Sequence, residues 1–274
     1  MKPDFGRCRA RLDGADDDRK ALAAEVLAAY ESYGGKPVGF GTDTKDYGPG
    51  RARVWGVVTS VMSVPVHWDR RIAHVIYDTR SALDHLTHEL YVATNGRRPP
   101  KNVAGVLQFP ICDTRGAWTS ATTSQNKRLS RLEGIDPRYV KVIRDYQPFW
   151  QGRSNRKKVT TNALRRLRNL SDRDKHRRPH VVFFAPLQAS LTFAVNYGCV
   201  IIGNGPNRLG RAVSVGARVG YVDVAATGEG SGSVRVDFQG TLYPAFERGV
   251  SIGDLMASVI VEARSVVDEC EAAT

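Results

Sequence analysis

Cysteine is scarce in this sequence: Cys8, Cys112, Cys199 and Cys270 are its four, they stand far apart, and no two form a Cys-x-x-Cys pair. That spacing excludes a zinc ribbon and a thioredoxin-like redox motif, and it predicts reduced thiols in a fold without disulfide staples. Long apolar runs are missing as well. No stretch approaches the roughly 18 apolar residues of a membrane span, and Met1 to Arg9 holds no apolar stretch of leader type, so a cytoplasmic location is expected. The familiar nucleotide and zinc-protease signatures are absent too. There is no Gly-x-x-x-x-Gly-Lys-Ser/Thr loop, Gly203-Asn-Gly205 precedes a strand-like run rather than a helix, and His-Glu-x-x-His does not occur. P-loop and Rossmann nucleotide binding and the commonest zinc-protease helix are thereby set aside.

Acidic residues are the other shortage: 28 Asp and Glu face 40 Lys and Arg, a net charge of +12. A chain so charged attracts polyanions before any specific contact forms, and nucleic acid is the commonest of these. The excess is also concentrated. Between Arg153 and Arg178 lie eleven Lys and Arg residues against Asp172 and Asp174 alone. Within that stretch Arg165, Arg166, Arg168, Arg173, Lys175 and Arg177 fall on or beside one predicted helix, the pattern of a phosphate-tracking face. A solvated helix face that aids solubility gives the same pattern.

The 274 residues, 42% of them hydrophobic, suffice for a sizeable core in one large domain or two ordinary ones. Apolar residues recur at helical spacing from Arg7 to Tyr33 (Leu12, Leu22, Ala23, Val26, Leu27, Tyr30), and Gly34-Gly35 ends the pattern. A β-hairpin follows over 37–64 around Asp46-Tyr-Gly-Pro-Gly50, and then a second long helix over 66–93. Shorter helices are predicted over 115–131 and 136–146, the latter opened by an Asp136-Pro137 cap. The basic helix spans residue 160 or 161 to 176, and Pro179 stops its continuation. Strands are predicted over 181–184, 191–202, 212–224 and 233–242, and a closing amphipathic helix over 251–269. The fold class is therefore α+β: a helical bundle with an inserted β-hairpin, then an antiparallel β-sheet and a C-terminal helix. The expected division is a helical unit over 1–178 and a β-rich unit over 179–274, able to pack as one domain.

Four of the six histidines fall in two windows, Asp78-Thr-Arg-Ser-Ala-Leu-Asp-His-Leu-Thr-His88 and Asp172-Arg-Asp-Lys-His-Arg-Arg-Pro-His180. In the first, Ile72, Ile76, Thr79, Leu83, Leu86 and Leu90 share the core side of the helix, while His74, Tyr77, Ser81, Asp84, His85 and His88 share the other. Arg80 and Asp84 at i, i+4 suit an ordinary helix ion pair. Arginine beside histidine also suits phosphate chemistry, since one is a permanent bidentate donor and the other titrates near neutrality. A metal could be held instead by Asp78, Asp84, His85, His88, Asp174 and His176, although the surrounding arginines oppose a dication.

Arg80-Ser-Ala-Leu-Asp-His85 resembles the Arg-x4-His motif of HEPN-type ribonucleases. That resemblance implies a metal-independent endoribonuclease without cofactor, a toxin or defence effector acting on RNA, which commonly dimerises through this face. It also implies catalytic roles for Arg80 and His85, with the arginine stabilising the pentacovalent phosphate and the histidine moving a proton. Residues five apart on a straight helix point about 140° away from each other, so convergence on one phosphate requires a bent helix or a second subunit. The strings around Arg80-Ser-Ala-Leu-Asp-His-Leu86 and Asp174-Lys-His-Arg177 resemble a family of uncharacterised, mostly actinobacterial proteins over residues 50 to 190. If the two windows pack together, His176 joins Arg80 and His85 as a third catalytic residue. The alternative from the charge pattern is a non-catalytic nucleic-acid-binding protein that uses the basic helix.

Overall fold

The computed structural model describes residues 3–35, 38–124, 129–151, 162–175, 183–195, 199–205, 214–227, 234–246 and 250–274, with the backbone alone at 151, 173–175, 183–193, 195, 199, 235–246 and 250. The fold is α+β, with an N-terminal helix, a hairpin, antiparallel sheets and a C-terminal helix. Its helices are α1 (Phe5–Ser32), α2 (Val66–Asn95), α3 (Lys101–Ala104), α4 (Arg115–Thr122), α5 (Pro137–Asp145), α6 (Pro148–Gln151), α7 (Ala163–Lys175) and α8 (Ile252–Ala272). The strands are β1 (Val38–Gly48), β2 (Arg51–Val61), β3 (Phe183–Val195), β4 (Cys199–Asn204), β5 (Arg218–Ala226), β6 (Val234–Phe246) and β7 (Val250–Ser251).

The chain forms two compact units, and neither is a continuous stretch: 1–22, 69–180 and 253–274 make the helical unit, and 23–68 with 181–252 make the β unit. The expected division after residue 178 follows chain order. Pairing does not, because the hairpin β1–β2 extends its second strand antiparallel along β5, with Val54 opposite Val222 and Trp55 opposite Tyr221. The first sheet thus runs β1-β2-β5-β4, and a second runs β3-β6-β7. Alternation along the first sheet buries Val54, Val222 and Val224 on one side, with Ala52 and Val234 packed against them.

The helical unit is organised around α2. Ile72, Ile76, Thr79, Leu83, Leu86 and Leu90 are all fully buried, as the 3.6-residue periodicity predicts, whereas His74 is exposed and His88 half-buried. The stripe of α1 is buried at Phe5, Cys8, Leu12, Ala15 and Leu22, but Leu27 is 59% exposed. It lies five residues past Leu22, about 140° further round the helix. The expected helix over 115–131 ends at Thr122, because Thr and Ser compete for backbone groups there. Ser124 donates to Glu133 (2.5 Å) and accepts from the Ser130 N–H (3.2 Å). Asp136 caps α5 as expected, accepting from the Arg138 N–H at 2.8 Å. In the β unit, residues 183–195 form one strand where the sequence predicts a break. Pro186 is accommodated at a register shift, where its missing N–H costs nothing.

Candidate functional site

Residues 108–112 form a buried stretch without regular structure, so its backbone polar groups must find partners outside a ladder. Side chains supply them. Asp84 accepts the Phe109 N–H at 2.9 Å while Arg80 Nη2 donates to the Phe109 carbonyl at 2.6 Å. Arg80 Nη2 and Nε also bind Asp84, at 2.9 and 3.3 Å, closing a ring of two side chains and the backbone N–H and carbonyl of one residue. From α7, Arg168 Nη1 donates to the Ile111 carbonyl at 3.2 Å. Gln147, fully buried just after α5, donates to the Pro110 carbonyl (2.9 Å) and accepts from the Cys112 N–H (2.8 Å). The Gln108 N–H donates to the Arg131 carbonyl at 3.2 Å. The Arg80–Asp84 pair is therefore more than the surface ion pair that i, i+4 spacing suggests: it replaces a strand partner for Phe109.

This clamping sets the positions of three arginines. Arg80 of α2, Arg131 of the turn before α5 and Arg168 of α7 line one cavity of about 240 Å³ with Gln108, Ile111, Ser171 and Asp172. Arg80 is only 14% exposed through its side chain. Arg168 is held from behind by Asp113, whose Oδ2 lies 2.7 Å from its Nη2 and 3.1 Å from Arg165 Nε. The Arg165 N–H does not point at that oxygen, so the second contact is ionic only. Leu164, Leu167 and Leu170 bury the other side of α7, which leaves Arg166 half-exposed on its open side.

His85 opens elsewhere. It shares a cavity of about 530 Å³ with Asp4, Arg7, Ser81, Asp84, His88, Glu89 and Arg98, and Arg80 does not line that cavity. Asp84 touches both sites, since it lines the His85 cavity and binds Arg80. The straight helix thus separates the Arg-x4-His pair within one chain, as the 140° rotation requires. Burial pushes the His85 imidazole below its ordinary value, with the nearby Arg11 and His88 acting in the same direction. His176 and Arg177 lie outside the described residues, and Arg173 and Lys175 are placed on α7 by backbone only. Among the described residues no group of three or more His, Cys, Asp or Glu is arranged to hold a metal ion, and no helix is long and apolar enough to cross a membrane.

Sequence reasoning singled out Arg80 and Arg168 but placed them in different roles; it read 97–113 as loop-like with a short Val106–Phe109 segment before Pro110, and it missed Arg131 and Gln147. The one available signal was Gln108-Phe-Pro-Ile-Cys112 itself, an apolar run too short and too irregular for an element of its own. Compared with protein-family models, curated proteins and solved structures, the chain matches none.

Proposed function

We propose that this chain is a cytoplasmic, non-catalytic RNA-binding protein that grips backbone phosphate through the Arg80–Arg131–Arg168 cavity and the open side of α7. One observation supports this above the rest: three arginines from three separate elements converge on one cavity, two of them pre-set by hydrogen bonds to the same buried stretch. Guanidinium groups fixed in this way bind an anion without paying again to order their side chains. The net charge of +12 supplies long-range attraction. RNA is preferred to DNA on the resemblance of the Arg80–His85 segment. The test is fluorescence anisotropy with single-stranded RNA and DNA over a range of salt. Arg131→Ala and Arg166→Ala should each weaken RNA binding and lower its salt slope by roughly 0.7 to 1 for every phosphate that is no longer neutralised. Unchanged affinity and slope in both variants would exclude this surface.

A second reading, the metal-independent endoribonuclease, is favoured by a different observation. His85 shares its cavity with a second histidine and two arginines, and its lowered affinity for protons keeps it in the base form at neutral pH. On this reading the purified chain cuts single-stranded RNA in EDTA and leaves 2′,3′-cyclic phosphate ends. His85→Ala should then abolish cleavage and spare binding. Intact RNA after prolonged incubation with wild-type protein would leave the binding protein alone.

A further inference from the structure

We infer that the arginine cavity takes a terminal phosphomonoester, the 5′-phosphate end of an RNA strand, rather than a phosphate within the chain. This inference rests on the RNA-binding reading and specifies its ligand. A cavity of about 240 Å³ equals the share of roughly eight water molecules. That is room for one phosphate and part of its sugar.

An internal phosphodiester carries a single charge and two non-bridging oxygens, whereas a terminal phosphate carries three such oxygens and close to two charges at neutral pH. Arg80, Arg131 and Arg168 line the cavity from α2, from the turn before α5 and from α7, so three cations from separate elements surround it and suit the dianionic terminal phosphate better than the singly charged diester. Ser171 and Gln108 offer neutral hydrogen-bonding groups beside them. Arg80 is already turned by Asp84 and the Phe109 carbonyl, and Arg168 by Asp113 and the Ile111 carbonyl. Arg131 has no ion pair with a described residue, which makes it the arginine whose charge is least compensated. Asp172 also lines the cavity and opposes an anion, so it limits affinity.

The experiment uses the full chain and 3′-labelled RNA oligonucleotides of one sequence with either a 5′-phosphate or a 5′-hydroxyl. The phosphorylated strand should bind at least about tenfold tighter. Arg131→Ala should erase that difference by weakening the phosphorylated strand at least about tenfold more than the 5′-hydroxyl strand. Its side chain supports none of the described backbone, so loss of the fold is not the expected cause. Asp172→Asn should widen the difference. The preference should also shrink as pH falls through about 6, where the phosphomonoester dianion takes up a proton and becomes a monoanion. Equal affinity for the two strands would overturn the inference while leaving RNA binding in place, and failure of both strands to bind would overturn the RNA-binding reading itself. Competition by a nucleoside 5′-monophosphate as effective as that of the phosphorylated strand would assign the cavity to a free nucleotide and overturn the assignment to an RNA end.

Discussion

Asp84 shows how far one carboxylate can depart from what its sequence spacing suggests. Taken as the partner of Arg80 alone, it should cost little to replace, since exposed i, i+4 pairs contribute only a few tenths of a kcal/mol. Because it also accepts the Phe109 N–H, Asp84→Ala leaves a buried donor unpaired and should destabilise the protein by about 1–3 kcal/mol in urea unfolding. Asp84→Asn keeps an acceptor oxygen and should cost less. Titration provides a second residue-scale test. Burial pushes the Cys8 and Cys270 thiols up to about 12, from an ordinary value of 9.0. A raised thiol value means that the unfolded chain releases its protons first. Stability is therefore full below pH 9 and should fall between pH 9 and about 12, and Cys8→Ala should reduce that slope. His85 acts at the other end of the scale. Its lowered value makes the unfolded state the better proton acceptor, so stability should be lost as pH falls below about 6.5, and His85→Gln should remove part of that loss.

At the scale of elements, α7 joins core to site. Leu164 and Leu167 are fully buried on one side while Arg168 reaches the cavity on another, so packing fixes the height and rotation of the arginine. Leu167→Ala should cost about 2–5 kcal/mol and should also weaken RNA binding by loosening Arg168. The turn that carries Arg131 depends on Gly134, whose φ of 70° is in the left-handed region. A Cβ there would meet the Tyr91 ring at 2.8 Å, so Gly134→Ala should be destabilising and should displace Arg131. In the β unit, Arg53 stacks 3.9 Å from the Tyr221 ring centre and binds Asp223 at 2.6 and 2.9 Å, while Arg218 lies 4.0 Å over Trp55. Arg53 is thus neutralised across strands by Asp223, and Arg218 by Asp43.

For the whole molecule, chain order and compact units disagree, and the disagreement can be tested. The helical unit takes its last segment from the C-terminus: Arg9 binds Asp268 and Glu271, Arg264 binds Asp13 at 2.7 Å, and the Tyr146 hydroxyl donates to Glu269 at 2.6 Å. A fragment of residues 1–178 loses α8, with its buried Val259, Ala263, Val266 and Val267, and also loses the strand beside β2. It should lack a cooperative thermal transition, whereas a sequence-ordered domain would unfold cooperatively.

The sequence by itself determined the α+β class, the two long helices, the hairpin, the cap of α5 and the buried side of α2. Each of these depends on periodicity, turn chemistry or a local hydrogen bond within a few residues. It also marked Arg80 and Arg168, because charge and chemistry are properties of residue types. Only the tertiary structure decided that these two arginines share a cavity with Arg131, that His85 opens onto a different one, and that Asp84 and Gln147 serve the backbone of residues 108–112. It alone also decided that the hairpin pairs with β5 and that α8 joins the helical unit. Those outcomes depend on which distant segments bury which surfaces together, and no local pattern carries that information.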